Sequence, residues 1–368
     1  MLRALAALLV VLTHAQHEAA EIWADKGFSF DEKTIPGDAG VDIFFVLSGF
    51  IMVYVARDQF GVRGAPLGFM LRRIARVAPL YWICTTLMIA VVGLAPGLVT
   101  HHGLDVWHVV KSYLFIPHQR EGDHLVRPVF ALGWTLTFEM MFYAVFALGL
   151  FLTRRSGLIA VMATIAGAVA LGLVFRPEAT VLAYFSHPII LEFAVGVAIG
   201  WLYVTGRVLS PAAILPGLVA GLVLLGLAPH LSYDMDPLRV VYFGLPATIM
   251  VGACLLGATA ETDRMVPAIA SRLGDSSYSL YLSHPFALGL FRQAFVHLHL
   301  DSVIGPWGFV AAASVFCLVV GHLTFVVVEK PIMRRTRKVL GDTVHRVPLP
   351  PRDRNDIGGP QPLPAAGA

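Results

Sequence analysis

The chain has 368 residues, 57% of them hydrophobic and 14% charged, with a formal net charge of +3. An ordinary soluble domain carries about 25% charged residues, and the mean hydropathy of +0.73 excludes a water-soluble globule, so the solvent for this chain is lipid. The three cysteines, Cys84, Cys254 and Cys317, all lie in apolar segments and form no CxxC pair, which argues against a disulfide framework or a zinc site.

About ten apolar stretches approach the length a bilayer requires: residues 2–19, 41–56, 74–95, 132–152, 157–175, 187–204, 211–228, 239–258, 277–296 and 307–328. The expected fold is therefore all-α, a polytopic membrane protein in one membrane domain, residues 1–338. Residues 339–368 are rich in Pro, Gly and charge and read as a disordered tail.

The first stretch, "MLRALAALLVVLTHA", has a basic start, an apolar core and small residues near a possible cut. Those residues fit a cleaved signal peptide. They also fit a retained membrane helix, in which Arg3 and His14 lie three turns apart on one face, roughly 16 Å along the axis. Ionisable groups inside a membrane face a bundle interior or a water path and are functional candidates. The residues alone leave both readings open.

In the second stretch, "GVDIFFVLSGF", Asp42 stands at an outer helix start, where an acid suits the dipole. Ser48-Gly49 permits close helix contact. Arg72, Arg73 and Arg76 follow at the head of the third stretch. Positive-inside topology accounts for most such clusters, but arginine forks also grip phosphate in a bidentate way. The long 96–131 connection contains "DVWHVVKSYLFIP", amphipathic enough for an interfacial helix. His101, His102, His108, His118, His124, His297 and His299 match no metal-ligand spacing, so no metal is expected. "WTLTFEMMFY" places Glu139 inside an apolar helix, where it needs a partner or a role. In "DSSYSLYLSHP", Tyr278, Tyr281 and His284 follow i, i+3, i+6 and form a polar strip along one side. Interhelical hydrogen bonding is the plainer account of that strip, at ~0.6 kcal/mol per contact. No GxSxG, P-loop or GxGxxG pattern is present.

Lys and Arg set the expected orientation. Arg57, Arg63, Arg72, Arg73 and Arg76 fall in one connection, Arg154 and Arg155 in the next on that side, then Arg207, then Arg264 and Arg272. Lys330, Arg334, Arg335, Arg337 and Lys338 follow the last stretch. The opposite connections are poorer in basic residues. Both termini are therefore expected in the cytoplasm.

Taken in order, these stretches resemble the membrane-bound acyltransferase-3 family over nearly the whole chain. Arg3 and His14 match its Arg-x10-His, and "GVDIFFVLSGFIM" its most recognisable segment. "RRIARVAPLYW" carries its Arg-x-x-Arg as Arg73 and Arg76. "WTLTFEMMFY" looks like its Trp-Ser-Leu-x-x-Glu-x-x-Phe-Tyr, with Thr135 in place of Ser; "SSYSLYLSHP" and "VVEKP" (Val327–Pro331) match its closing motifs. The second segment and the plain C-terminus look most like bacterial exopolysaccharide-production acetyltransferases. In the family the first helix is retained, and relatives carry a few residues ahead of this arginine, which leaves room for a start upstream of Met1.

The resemblance implies O-acylation, with acetyl expected, of a glycan hydroxyl at the outer face of the bacterial inner membrane. Acetyl-CoA would be the donor, as a co-substrate. His14, Arg3 and Glu139 would be the catalytic group, Arg73, Arg76 and Arg72 the donor-phosphate site, and Asp42, Ser48, Tyr281 and His284 supporting residues. The expected partners are acyl-CoA, the acceptor glycan and membrane lipid, with no nucleic acid; the oligomeric state is left open. The rival from another class is a transporter or flippase of small molecules or lipid-linked glycans, since ionisable residues in a bundle also mark substrate paths. Such a carrier should show paired broken helices in two related halves, and no such symmetry is visible.

Overall fold

A computed structural model describes residues 1–94, 105–120, 125–228, 236–257 and 268–344. Among the described residues there are helices and no strands, beyond a single antiparallel bridge of Gln119 with Val126. A chain immersed in lipid must satisfy its own backbone, and helices do so within one segment.

The helices are α1 (Leu2–Ala24), α2 (Ala39–Ala56), α3 (Ala65–Leu94), α4 (Val106–Tyr113), α5 (Gly133–Gly149), α6 (Arg154–Phe175), α7 (Thr180–Phe185) and α8 (Leu191–Val204). Then come α9 (Ile214–Gly226), α10 (Leu245–Gly257), α11 (Ala268–His297), α12 (Pro306–Thr324) and α13 (Lys330–Val344). π-Helical turns at Val240–Gly244 and Phe325–Glu329 lead into α10 and α13. Each of the ten apolar stretches coincides with a helix. The expected tail begins helically, because α13 runs to Val344, and residues 345–368 lie outside the described residues.

Six segments are both long and apolar enough to cross a membrane: Ala39–Ala56, Ala65–Leu94, Arg154–Phe175, Thr180–Val204, Val240–Gly257 and Pro306–Thr336. The chain is thus a multi-pass membrane protein. The other four stretches differ for physical reasons. α5 has 17 residues and Pro211–Gly226 is a shorter apolar helix. α1 and α11 carry the polar groups, among them Arg3, His14, Gln16, Ser277 and His284.

Side chains buried among helices and side chains facing outward are both apolar. Val174, Leu215, Val315 and Val327 are exposed, as suits a lipid-facing belt. Inside, α2 packs closely along α8, because Gly49 lies against Phe193 and Gly196. Phe193 stacks on Phe45 at 4.5 Å and on Phe142 at 4.6 Å, which ties α2, α5 and α8 into the largest core. A second core joins α1, α11 and α12 around Trp23, Phe295 and Phe309. The amphipathic 105–117 stretch forms α4, capped by Asp105, which accepts from the His108 amide at 3.0 Å. Its Trp107 is exposed, while His108 and Ser112 are buried.

α1 and α11 run parallel, side by side. Arg3 meets Ser277, His14 meets His284, Trp23 meets Phe295, and Arg292 binds Glu18 and Glu21. This pairing brings the polar groups of the two helices together inside the bundle.

Candidate active site

A cavity of about 780 Å³, its mouth included, lies between α1, α2, α3, α5 and α11. Arg3, Arg73, Arg76, Ser48, Glu139 and Tyr281 all line it. Six of the ten sequence-derived candidates, from five separate helices, thus share one space.

The arginines are held differently. Arg76 donates to Glu329 and sits 5.3 Å from the centre of the Tyr278 ring. Glu329 is 2% exposed and also accepts from the Ser279 hydroxyl at 2.5 Å, so this buried acid is doubly satisfied. Arg3 donates through Nε to Ser277 at 3.2 Å. Arg73 lies over the Phe69 ring at 5.5 Å and the Tyr143 ring at 6.0 Å, and its buried Nε has no hydrogen-bond partner. A guanidinium with donors to spare beside a cavity can take an anion. Glu139 accepts from the Ser48 hydroxyl at 2.9 Å and from the Tyr143 hydroxyl. These hydroxyl contacts are the partners that a carboxylate inside an apolar helix needs.

Along α11 the polar groups form a ladder. Tyr278 lies under Arg76 and donates to the Val77 carbonyl at 2.6 Å. One turn on, Tyr281 lines the cavity, and its hydroxyl sits 2.7 Å from Thr135 Oγ1. One more turn brings His284, whose ring centre is 6.1 Å from that of Tyr281. His284 is fully buried and in edge contact with His14, ring centres 4.9 Å apart. His14 and His284 therefore stand one aromatic ring beyond the cavity rather than in its lining.

Both imidazoles are oriented by their own helices. Nδ1 of His14 lies 2.9 Å from the Val10 carbonyl, and Nδ1 of His284 lies 3.3 Å from the Leu280 carbonyl. A carbonyl only accepts, so each Nδ1 carries a proton, and in the neutral ring the acceptor is then Nε2. Nε2 of His284 is buried without a partner. The pair offers a proton acceptor, the property a hydroxyl nucleophile requires.

Two candidates stand apart from the cavity. Arg72 donates to Gln59 Oε1 at 2.5 Å, and Asp42 is clasped by Arg239 at 3.2 and 2.7 Å. Arg239 also donates to the Asp38 carbonyl at 2.7 Å, so Asp42 acts through the start of α2 rather than through the cavity. Glu329, Tyr143 and Ser277 belong to the site without a role in the sequence reading. Glu329 stands inside "VVEKP"; the signal for it was that an arginine buried in a bundle requires a counter-charge. Among the described residues no cluster of three or more His, Cys, Asp or Glu could hold a metal. His101, His102 and His124 lie outside the described residues. His108 instead bonds the Arg127 carbonyl at 2.9 Å, and His118 faces Lys111 at 3.2 Å.

A family model, the acyltransferase domain of the acyltransferase-3 family, matches residues 1–326. The chain belongs to this family, and it is an O-acyltransferase. It is 35% identical over 309 residues to the exopolysaccharide production protein ExoZ of Rhizobium meliloti (strain 1021), covering 82% of this chain and 91% of the relative. It is also 25% identical over 370 residues to the acyltransferase MdmB of Streptomyces mycarofaciens, covering 90% of each. No solved structure matches.

Proposed function

We propose that this acyltransferase moves an acetyl group from cytoplasmic acetyl-CoA to a hydroxyl of a surface or extracellular glycan, across the bacterial inner membrane. The observation that carries the reading is the path from basic cavity to imidazole: Arg3, Arg73 and Arg76 at one end, then Tyr281, then the His14–His284 pair. Arg73 and Arg76 receive the donor's phosphates, and Arg72, bonded to Gln59, adds positive charge beside them. Arg3 holds the thioester end. Ser48 and Tyr143 fix Glu139 in the wall of the cavity that the three arginines share.

The thioester C–S bond breaks as the new C–O ester bond forms. Nε2 of His14 takes the hydroxyl proton and returns it to the departing thiolate, so no net proton is consumed. In the relay variant of this route His14 carries the acyl group itself before the hydroxyl attacks; rapid acid quench would trap acyl-protein only in the relay. His284 and Tyr281 position His14 from the neighbouring helix. The kinship with a protein of exopolysaccharide production supports a glycan acceptor.

The test is mass spectrometry of the host's extracellular polysaccharide with and without this protein. Loss of O-linked acetate in its absence is expected. An unchanged ester content, or purified protein that leaves labelled acetyl-CoA intact in the presence of that polysaccharide, would refute the reading.

A further inference from the structure

A second cavity opens beside α1, ten residues along that helix from Arg3, or about 15 Å. It spans about 770 Å³, its mouth included, and is lined by Thr13, residues of the 31–38 segment, the end of α9 and Phe243 of the π-helical turn before α10. It shares no lining residue with the arginine cavity. Thr13 is the chain neighbour of His14, so this second cavity reaches the turn of α1 that carries the histidine.

The wall of this second cavity is built and held. Gln16 is fully buried and reads both backbone groups of Ile35: it donates to the carbonyl at 3.1 Å and accepts from the amide at 2.9 Å. Arg239, clasped by Asp42, grips the Asp38 carbonyl at 2.7 Å. The 35–38 part of the segment is therefore pinned to α1 and to the start of the π-helical turn before α10. Asp31 accepts from the Lys33 amide at 2.9 Å and Glu32 faces His17 at 2.5 Å, which leaves each carboxylate further lone pairs. Oγ1 of Thr13 is buried and has no hydrogen-bond partner.

The chemistry of the lining selects the ligand. Among the described lining residues, Asp31, Glu32 and Asp38 outnumber the one cationic side chain, Lys33. Such a pocket repels anions and accepts hydrogen bonds from hydroxyl groups. Pro36 and Phe243 supply apolar surface for the C–H face of a ring. We propose that this pocket binds a neutral sugar residue of the acceptor glycan and presents the chain to His14. This rests on the acyl-transfer reading above, and it adds the acceptor's location and its charge class.

Two variants test it. Thr13→Val removes a hydroxyl that no protein group engages, at nearly constant volume. Gly226→Phe adds bulk at a lining position where a new Cβ meets nothing within 4 Å. The probe is host polysaccharide, de-esterified with alkali, fragmented and split by anion exchange into neutral and acidic fractions. Equilibrium dialysis against nanodisc-embedded protein measures binding without turnover. The wild type should bind the neutral fraction over the acidic one. Binding should weaken three- to tenfold in Thr13→Val and be lost in Gly226→Phe, with the acetyl-CoA KM of both variants unaltered. Equal binding by wild type and both variants, preference for the acidic fraction, or no binding by the wild type overturns the pocket. Intact binding with no acetyl transfer instead refutes the acyl-transfer reading and leaves the pocket standing.

Discussion

Arg76 and Glu329 lie 253 residues apart in sequence, yet they pair at the junction of α3 and α13. Glu329 is 2% exposed, so removing its cation leaves an uncompensated buried charge. Arg76→Ala should therefore cost about 3–5 kcal/mol of stability, seen as a lower melting temperature of the detergent-extracted protein. The double variant Arg76→Met, Glu329→Leu should recover most of that loss without recovering donor use. If the single variant melted like wild type, the pair would be an incidental contact. At this scale much of the site was legible. Arg3, Arg73, Arg76, Glu139, Ser48 and Tyr281 converge because each is a polar residue that an apolar helix would not otherwise carry. Asp42 and Arg72 were legible as polar anomalies but not by partner. Arg239 and Gln59 approach them through tertiary packing that no local spacing encodes.

At the scale of elements, composition sufficed to find the helices, since every apolar stretch became one. What it left unread were the breaks: the π-helical turns at Val240–Gly244 and Phe325–Glu329, and the extension of the last helix to Val344. These follow from packing, not from propensity. The parallel pairing of α1 with α11 was likewise invisible, because it joins opposite ends of the chain. The α2–α8 contact was half legible, since Ser48-Gly49 marked a close approach without naming Gly196. A Cβ at Gly49 would collide with the Phe193 carbonyl oxygen, and overpacking of this kind costs about 1–3 kcal/mol. Gly49→Val should lower the melting temperature and distort the cavity wall formed by Leu47, Ser48 and Ile51. A Gly49→Val protein with wild-type melting would show that α2 and α8 are free to separate.

For the whole molecule, ten membrane-crossing helices with both termini in the cytoplasm is our proposed topology; the arginine-rich connections support it. Reporter fusions at residues 118 and 338 should report opposite sides of the membrane, and a common side would overturn it. In this proposed topology Arg3, Arg73 and Arg76 fall on the cytoplasmic side and the 31–38 segment on the outer side. His14 and His284 stand in edge contact one aromatic ring beyond the arginine cavity. The central claim is that His14 is where the two substrates meet. It is tested most directly with His14→Ala protein in nanodiscs, measuring labelled acetyl transfer to de-esterified polysaccharide beside equilibrium binding of acetyl-CoA. The account predicts transfer reduced by at least a hundredfold, the range that general-base removal occupies, with donor binding within twofold of wild type. Transfer at the wild-type rate in that variant would contradict it.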